Sequence, residues 1–455
     1  MKKTIFCLPK HAKGSSGGGF FCYVNRILLG AFLWMLLLYR AIARIDGPQK
    51  EDRIHTALSG VETETGQENE IRVVLMDTEY TSCYHPFVTV SYRGKTITLK
   101  PDSPELKDGS FAPDTGEEGF SVLSIERSCG VPRYQGSLTI YSEEEGLVLV
   151  NTLPLEDYLK SVVPSEMPAS FEKEALKAQA ICARTYAARQ MEDRRREEYH
   201  ADVDDSVACQ VYGNIEREEK TDQAVDETAG LVLTQEGELI EAYYFSTSPG
   251  QTSTNEIWNE EERLPYLQSV PCSFDARTPW SSWQVVIPWE NLQEELLPIL
   301  EPEQIRWEDP MIGESGGSAV TLEHLQLEGL EVTKTSQSGA ATELTVVVED
   351  PSLPACGTVK IGGEYQIRKA LAPSGCIIHK QDRDTVVGGA LLPSAYISLA
   401  AEQGSHVEIR GKGYGHGVGM SQTAADEMAR EGFSCEEILH YFYHLVEIGA
   451  PDTKN

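Results

Sequence analysis

FEKEALKAQAICARTYAARQMEDRRR, residues 171–196, is rich in strong helix formers and decides how the chain is built. One side of the predicted helix carries small residues that allow close packing against another backbone: Ala175, Ala178, Cys182 and Thr185. A second side is also apolar and consists of Leu176, Ala180, Ala183 and Ala187. We therefore predict a buried helix with its N-cap at Ser170, which reaches solvent at MEDRRREE (191–198).

The sequence on either side of this helix predicts an α+β fold. Before it, short β-like runs such as IRVVLM (71–76) and LVLV (147–150) alternate with turn residues, which predicts a mostly β N-terminal region. After it, LVLTQEGELIEAYYFSTSPGQT (231–252) predicts a hairpin that turns at Glu236 and Gly237. The helix itself belongs to a mixed α/β domain. The predicted divisions are a tail and membrane segment (1–45), a linker (46–70), a β-rich region (71–150), a first part of the α/β domain (151–275), a β-rich insertion (276–350) and a last part (351–455).

Local capping signals predict two helices near the end of the chain. Ser421 can cap the first of them, and Gly432 would end it. Ser434 and Glu437 have the spacing of a capping box ahead of CEEILHYFYHL (435–445). The last part of the chain is therefore expected to be ordered.

The N-terminal segment has the pattern of an export signal or a membrane anchor. Basic residues precede the apolar run ILLGAFLWMLLLY (27–39), which at thirteen residues suits a signal-peptide core. AIA (41–43) resembles a cleavage site, but with FFCYVN (20–25) included the run could span a bilayer. We predict a retained anchor with the remainder outside the cytoplasm; if the segment is cleaved, the protein is secreted.

Composition excludes several classes of function. The formal net charge of −32 argues against nucleic acid, because neutralising phosphates requires an excess of Lys and Arg. The ten cysteines show no CxxC pair, and Cys209 and His200 could bind zinc only with two further ligands that no motif supplies. No nucleophile–His–Asp set emerges either. We predict no cofactor and no metal.

Glu166 is the candidate acid of the sequence. PLEDYLKSVV (154–163) has the apolar spacing of a short helix, and VVPSEMPAS (162–170) after it reads as a proline-bounded loop that holds Glu166. One interpretation is a carboxylate satisfied by backbone N–H groups at the start of the next helix. The other is a general acid, because partial burial raises a carboxyl pKa towards neutrality.

Lys177 and Arg184 lie seven residues apart and so share one face of an otherwise apolar helix. Buried cations need partners, and the candidates are Glu166, an anionic ligand or the acidic stretch DVDD (202–205). A structural ion pair is the more frequent explanation of such spacing, whereas a pocket wall is the alternative.

GKGYGHGVGM (411–420) has glycine at every second position. On a strand this alternation leaves one face without side chains, so that another surface or a ligand can approach the backbone. The other face carries Tyr414 and His416, for which a sugar or catalytic contact is the better interpretation. Tyr243 and Tyr244 on the hairpin are candidates for stacking on sugar rings, although core packing is the more frequent role of such aromatics.

Five segments together resemble the SpoIID/LytB family of sporulation and amidase-enhancer proteins. They are LPLEDYLKSVVPSEMPASFEKEALKAQAICARTYAARQ (153–190), ADVDDSVACQVYGN (201–214), EAYYFSTSPGQTSTNEIWN (241–259), GGEYQIRKAL (362–371) and GKGYGHGVGMSQTAADEMAREGFSCEEILHYFY (411–443). The resemblance implies a SpoIID-type catalytic domain formed by the parts at 151–275 and 351–455. It also implies lytic transglycosylation of peptidoglycan, with Glu166 as the catalytic residue and Lys177 and Arg184 as substrate-binding residues.

The implied reaction cleaves the MurNAc–GlcNAc β-1,4 bond of glycan strands that a partner amidase, of the stage II sporulation protein P type, has stripped of peptides. A hydrolase needs two carboxylates, whereas a lytic transglycosylase can use one. Some relatives bind zinc, but Val203 occupies what would be a cysteine ligand position, which agrees with the prediction of no metal. The alternative function is a non-catalytic peptidoglycan binder that stimulates an amidase.

Overall fold

The structure of the protein is a computed structural model that describes residues 69–213, 215–258, 263–307, 322–353 and 355–450. The predicted membrane segment (1–45) lies outside these residues, as does the predicted linker (46–70) except for its last two residues. Within the described ranges, no helix is both long and apolar enough to cross a bilayer.

The N-terminal region is built from strands, as the sequence predicts. The strands are β1 (Glu70–Val74), β2 (Val88–Tyr92), β3 (Lys95–Leu99), β4 (Ser110–Phe111), β5 (Phe120–Val122), β6 (Arg133–Tyr134), β7 (Ser137–Ser142), β8 (Leu147–Pro154) and, further along the chain, β9 (Val203–Asp204). They form two sheets, with the orders β4-β7-β8-β1-β9 and β3-β2-β5-β6. β8 lies inside the larger sheet, and the near-continuous apolar run LVLV at its start is buried on both faces.

Three helices follow this region: α1 (Leu155–Glu166), α2 (Lys173–Asp193) and α3 (Glu219–Glu227). Both predicted apolar sides of α2 are buried, and this helix crosses the main hydrophobic core. Its predicted cap is wrong, because the N-cap position belongs to Glu172 rather than Ser170. The Asp426 carboxylate, distant in sequence, accepts the Glu172 backbone N–H at 2.6 Å and satisfies the helix start instead.

The predicted loop at 162–170 is partly helical. α1 continues through Pro164 and ends at Glu166, so the glutamate is the last residue of the helix. A proline inside a helix removes one backbone hydrogen bond, and here the helix ends two residues later, which limits the loss to its last turn. The Ser165 hydroxyl donates to the Ser161 carbonyl at 2.7 Å, and the Met167 N–H bonds to Val163 at 2.9 Å. Glu166 is therefore fixed on a helix end.

The hairpin and the C-terminal helices complete the first core. Its elements are β10 (Val232–Gln235), β11 (Glu238–Leu239), β12 (Tyr244–Phe245), β22 (Met420–Ser421), α6 (Gln422–Arg430), α7 (Cys435–Phe442) and β23 (Glu447–Gly449). The hairpin turns at Glu236 and Gly237, both at positive φ, as predicted. The predicted caps are also confirmed: the Ser421 hydroxyl accepts the Ala424 N–H, and Ser434 and Glu437 form a capping box.

A second hydrophobic core lies between residues 283 and 409. It contains α4 (Trp289–Leu296), α5 (Glu364–Ala370), β13 (Trp283–Pro288), β14 (Arg306–Trp307), β15 (Gln326–Thr335), β16 (Ala341–Glu349), β17 (Gly357–Gly362), β18 (Ile377–Lys380), β19 (Thr385–Val387), β20 (Ile397–Glu402) and β21 (His406–Gly411). Its sheets have the orders β19-β18-β13-β21-β20 and β14-β17-β16-β15. The division predicted at residue 350 falls between β16 and β17, which are neighbours in one sheet.

Candidate active site

Glu166 lies half-buried where α1 ends, facing two other segments of the first core. Its Oε1 atom accepts the backbone N–H of Val211 at 2.7 Å. Its Oε2 atom lies 3.5 Å from Nε2 of Gln422, the first residue of α6. The carboxyl group is therefore held by one firm hydrogen bond on one oxygen and by a long contact on the other.

Burial raises the pKa of the Glu166 carboxyl to about 7, against the opposing hydrogen bonds from Val211, Gln422 and Tyr244. Among the described residues, neither a cation nor a second carboxylate contributes to this shift. The group can therefore hold a proton near neutral pH, which is the property that a general acid requires.

Polar side chains that the sequence analysis did not single out surround this carboxyl. Gln422 also lies 3.4 Å from Oε1 of the fully buried Gln179, whose own Nε2 has no hydrogen-bond partner in the described part of the chain. On the other side, Gln210 donates to the Tyr244 hydroxyl at 3.0 Å and accepts from the Tyr158 hydroxyl at 3.2 Å. The only sequence signal for Gln422 was its place directly after a helix cap, which does not distinguish a buried amide from an exposed one.

His416 lies beside the site but its ring nitrogens are both bonded to backbone. Nδ1 accepts the Val418 N–H at 3.1 Å, so the proton is on Nε2, which donates to the Tyr244 carbonyl at 2.9 Å. Burial, with a smaller contribution from nearby Arg368, lowers the pKa of His416 to about 4, although Glu364 and the bond to Tyr244 oppose this effect. The imidazole is thus neutral at pH 7 and positions β12 rather than exchanging protons.

The alternate glycines are approached closely by other parts of this same chain. Gly413, Gly415, Gly417 and Gly419 all have positive φ, so the segment is not a regular strand beyond Gly411. A Cβ at Gly419 would lie 1.9 Å from the Tyr243 carbonyl oxygen, and one at Gly417 would lie 2.0 Å from the Tyr396 hydroxyl. The prediction that something packs against this backbone is confirmed, and the partner there is the protein itself.

The three candidate tyrosines occupy different positions. The Tyr244 hydroxyl is near enough to Glu166 to lower its carboxyl pKa, and the Tyr243 ring packs edge-on against Trp258 with centroids 4.9 Å apart. Tyr414 is 41% exposed, and its ring lies 4.7 Å from that of Trp280. The structure therefore brings Glu166, Tyr244 and His416 together, with Tyr243 against His416, whereas Tyr414 packs on Trp280.

Arg184 and Lys177 are paired elsewhere. The buried Arg184 guanidinium forms a bidentate pair with Glu156, with both N–O distances 2.7 Å, and its remaining N–H groups point at carbonyl and hydroxyl oxygens of helices and loops nearby. Lys177 contacts Glu174 at 3.1 Å, and the other Glu174 oxygen accepts the Cys435 N–H that begins α7. Neither cation pairs with Glu166, and Glu156 is a partner that the sequence analysis had not considered.

The residues that the sequence analysis considered for zinc have protein partners. Cys209 contacts Asp204, and His200 bonds to Glu143 at 2.9 Å. In the described residues no group of three or more His, Cys, Asp or Glu side chains could hold a metal ion.

Comparisons with known proteins identify the family. A family model described as stage II sporulation protein, SpoIID, matches residues 143–235, which include Glu166. Stage II sporulation protein D of Bacillus subtilis is 30% identical over 361 residues, which cover 74% of this chain and 89% of that protein. The chain belongs to the SpoIID family.

Two further relatives agree with this membership. Stage II sporulation protein D of Bacillus amyloliquefaciens is 30% identical over 321 residues, covering 67% of this chain and 76% of that protein. The amidase enhancer of Bacillus subtilis is 30% identical over 303 residues, covering 63% of this chain. The aligned part spans only 39% of the amidase enhancer. The names of these relatives thus refer to two roles, sporulation and amidase enhancement.

Proposed function

We propose that this protein is a peptidoglycan lytic transglycosylase that cleaves the MurNAc–GlcNAc β-1,4 bond of denuded glycan strands. The observation that carries the proposal is Glu166, a carboxyl group whose pKa is raised to about 7 without help from a second carboxylate. Glycosidases that use water need two carboxyl groups, one as acid and one as base or nucleophile. A single group that alternates between acid and base fits a reaction in which the substrate supplies its own nucleophile.

The reaction balances with Glu166 as the only proton carrier. Because Oε1 accepts the Val211 N–H, the proton is best placed on Oε2, from which it passes to the glycosidic oxygen as the bond from that oxygen to C1 of MurNAc breaks. The resulting carboxylate then takes the proton of the MurNAc C6 hydroxyl, and O6 bonds to C1. The products are a free GlcNAc 4-hydroxyl and a 1,6-anhydro sugar, and Glu166 is again protonated.

The neighbours of Glu166 support this cycle by holding one carboxyl group in two charge states. The Val211 N–H and the Gln422 amide stabilise the carboxylate that forms after the first proton transfer. The neutral His416 fixes the backbone of Tyr244, whose hydroxyl favours the ionised form of Glu166. In this cycle His416 keeps the residues around the acid in place.

The test is to incubate the full-length protein with glycan strands that have no stem peptides and to analyse the products by mass spectrometry. We expect the wild type to release peptide-free sugars that end in 1,6-anhydroMurNAc. Replacement of Glu166 by Gln should lower their rate of formation at least about 100-fold, the usual effect of losing a general acid. Unchanged circular dichroism would show that the variant is folded. Products that contain a reducing MurNAc end would contradict the transglycosylase mechanism.

A second function is favoured by the similarity to an amidase enhancer: binding of peptidoglycan that stimulates a cell-wall amidase without catalysis. In that case glycan strands would bind without any anhydro product, and Glu166→Gln would stimulate a purified amidase as well as the wild type does. In either function we propose that the protein lies on the outer side of the membrane, tethered by the segment at 1–45 or secreted after its cleavage. We also propose that it acts together with an amidase in engulfment during sporulation.

A further inference from the structure

A groove of about 610 Å³ lies on the second core, away from Glu166. Strands β13, β18, β20 and β21 form its floor, and Pro249 and the turn at Ser338 and Gly339 form its rim. Fifteen residues line it, and none of these described residues is acidic. With 71 Asp and Glu among 455 residues, about two would be expected by chance in such a set, so this surface differs in charge from the rest of a strongly acidic chain.

Three cations line this basic groove: Lys380, which pairs with Asp384 at 2.9 Å outside the groove lining, Arg410 and Lys412. Lys412 is exposed and forms no ion pair with any residue that the structure describes. Arg410 is 68% exposed and pairs with Glu408, which does not line the groove. Exposed ion pairs are weak, so an incoming anion can bind this guanidinium without a large loss.

Aromatic rings continue the groove at one edge. Nζ of Lys380 lies 5.5 Å from the centre of the Trp280 ring, and the exposed Tyr414 ring packs on Trp280. A half-buried indole beside an exposed phenol offers flat apolar area next to the cations. Flat apolar area combined with positive charge suits a sugar that carries an acidic substituent better than a small inorganic anion.

The glycine segment connects the basic groove to the Glu166 site. Lys412 lies in the groove, and Gln422, ten residues later, contacts Glu166. Ten residues of fully extended chain span at most about 33–36 Å, which sets an upper limit on the separation of these two residues. A sufficiently long glycan strand that occupies the Glu166 site can therefore extend to the groove.

We propose that the basic groove binds the carboxylates of an acidic glycan strand at a distance from the bond that is cleaved. Every muramic acid residue carries a lactyl carboxylate once its peptide is removed, so a denuded strand repeats one negative charge per disaccharide. The inference rests on the proposed function for its choice of glycan. It adds that strand length matters, because only a longer strand can contact Arg410 and Lys412 while another sugar lies at Glu166.

The test measures binding of fluorescent denuded strands to the full-length protein carrying Glu166→Gln, so that no turnover interferes. We expect Arg410→Ala together with Lys412→Ala to weaken binding about tenfold. The matched control is Lys95→Ala with Lys100→Ala, two exposed lysines on or beside β3, which should bind like the parent protein. Strands whose carboxylates have been converted to amides should bind the parent as weakly as untreated strands bind the groove variant.

Three outcomes would overturn the inference. They are equal binding by the groove and control variants, an unchanged affinity for amidated strands, and binding of a purified phosphodiester wall polymer in place of the glycan. In the wild-type background the groove substitutions should raise KM for long strands and leave KM for the shortest cleavable fragment unchanged. Absence of any cleavage by the wild type would instead refute the proposed function, and the binding measurement would still decide on the groove.

Discussion

Asp205 and Glu166 are two carboxyl groups of the same core that are satisfied in different ways. The Asp205 side chain is fully buried and lies 2.6 Å from the guanidinium of Arg127, which is fully buried as well. Glu166 is half-buried and has only neutral donors around it. Burial pushes the pKa of both groups upward, but only at Asp205 does a cation oppose that effect.

The difference teaches what each group can do. An acid that is paired with a buried cation contributes to the structure, and removing either partner leaves an uncompensated charge. An acid without a cation gains its stability in the protonated form and can release that proton during a reaction. Substitutions can remove the cation beside Asp205, remove the charge of Glu166, or place a cation beside Glu166.

Removing the cation from Asp205 should have the largest effect. We expect Arg127→Met to lower the free energy of unfolding by about 3–5 kcal/mol, because the carboxylate would be left buried and unpaired. Denaturant unfolding at pH 7 measures this loss. The control is Arg93→Met, which breaks the exposed pair of Arg93 with Asp114 and should cost at most about 1 kcal/mol. Equal losses in the two variants would show that burial of the Asp205 pair is irrelevant.

Removing the charge from Glu166 should stabilise the protein in a pH-dependent way. Because the pKa of Glu166 is raised in the folded state, its carboxyl group contributes to folding stability below pH 4.5, and this contribution is lost as the pH rises through 7. Glu166→Gln keeps the neutral form at every pH. We expect no difference at pH 4 and a variant that is more stable by up to about 3 kcal/mol at pH 8.

Thermal unfolding at both pH values measures this difference. A constant offset between the two proteins across that range would contradict the raised pKa.

A cation placed beside Glu166 should pair with its carboxylate, as Arg127 does with Asp205, and lower its pKa. Lys at position 422 would place an ammonium group near the carboxyl, because Gln422 Nε2 is 3.5 Å from Oε2. We expect Gln422→Lys to lower the pKa of Glu166 by at least about one unit. The proposed acid would then be ionised at pH 7 and activity would fall. Carbon-13 NMR titration of the carboxyl group reports the pKa independently of activity, and Gln422→Met, which removes a donor, should shift it the opposite way.

Removing the Tyr244 hydroxyl should have the smallest effect. This hydroxyl stabilises the ionised form of Glu166, so Tyr244→Phe should raise the carboxyl pKa by less than about one unit. Tyr158→Phe is the control, since its hydroxyl bonds to Gln210 at 3.2 Å and not to Glu166. The same NMR titration distinguishes them, and equal shifts in both variants would mean that the effect is not local to Glu166.

Local signals predicted much of the fold. The helix predicted within 171–196, the hairpin turn and the caps at Ser421 and Ser434 depend on residues within a few positions of one another, and all are present, the helix over Lys173–Asp193. The cap at Ser170 failed because its competitor, Asp426, is 254 residues away from the N–H that it binds. When a distant element supplies the cap, the sequence next to the helix start contains no signal for it.

The site was predictable only in part for the same reason. The prolines and valines around Glu166 raised the possibility of a general acid, but its catalytic role was implied by the family resemblance, and nothing in the local sequence indicated that α1 would extend to it. The spacing of Lys177 and Arg184 predicted a shared face but not their partners, since Glu156 lies on another helix. Gln422 and Gln179 are amides on two different helices, and only their packing against Glu166 shows that they matter.

The glycine segment constrains how the protein can evolve. Any replacement of Gly417 or Gly419 adds at least a Cβ, which would overlap the Tyr396 hydroxyl or the Tyr243 carbonyl. No conservative substitution exists for such positions, because every other amino acid is larger. A side chain at Gly419 would therefore require the backbone at Tyr243 to move, and one at Gly417 would require Tyr396 to change.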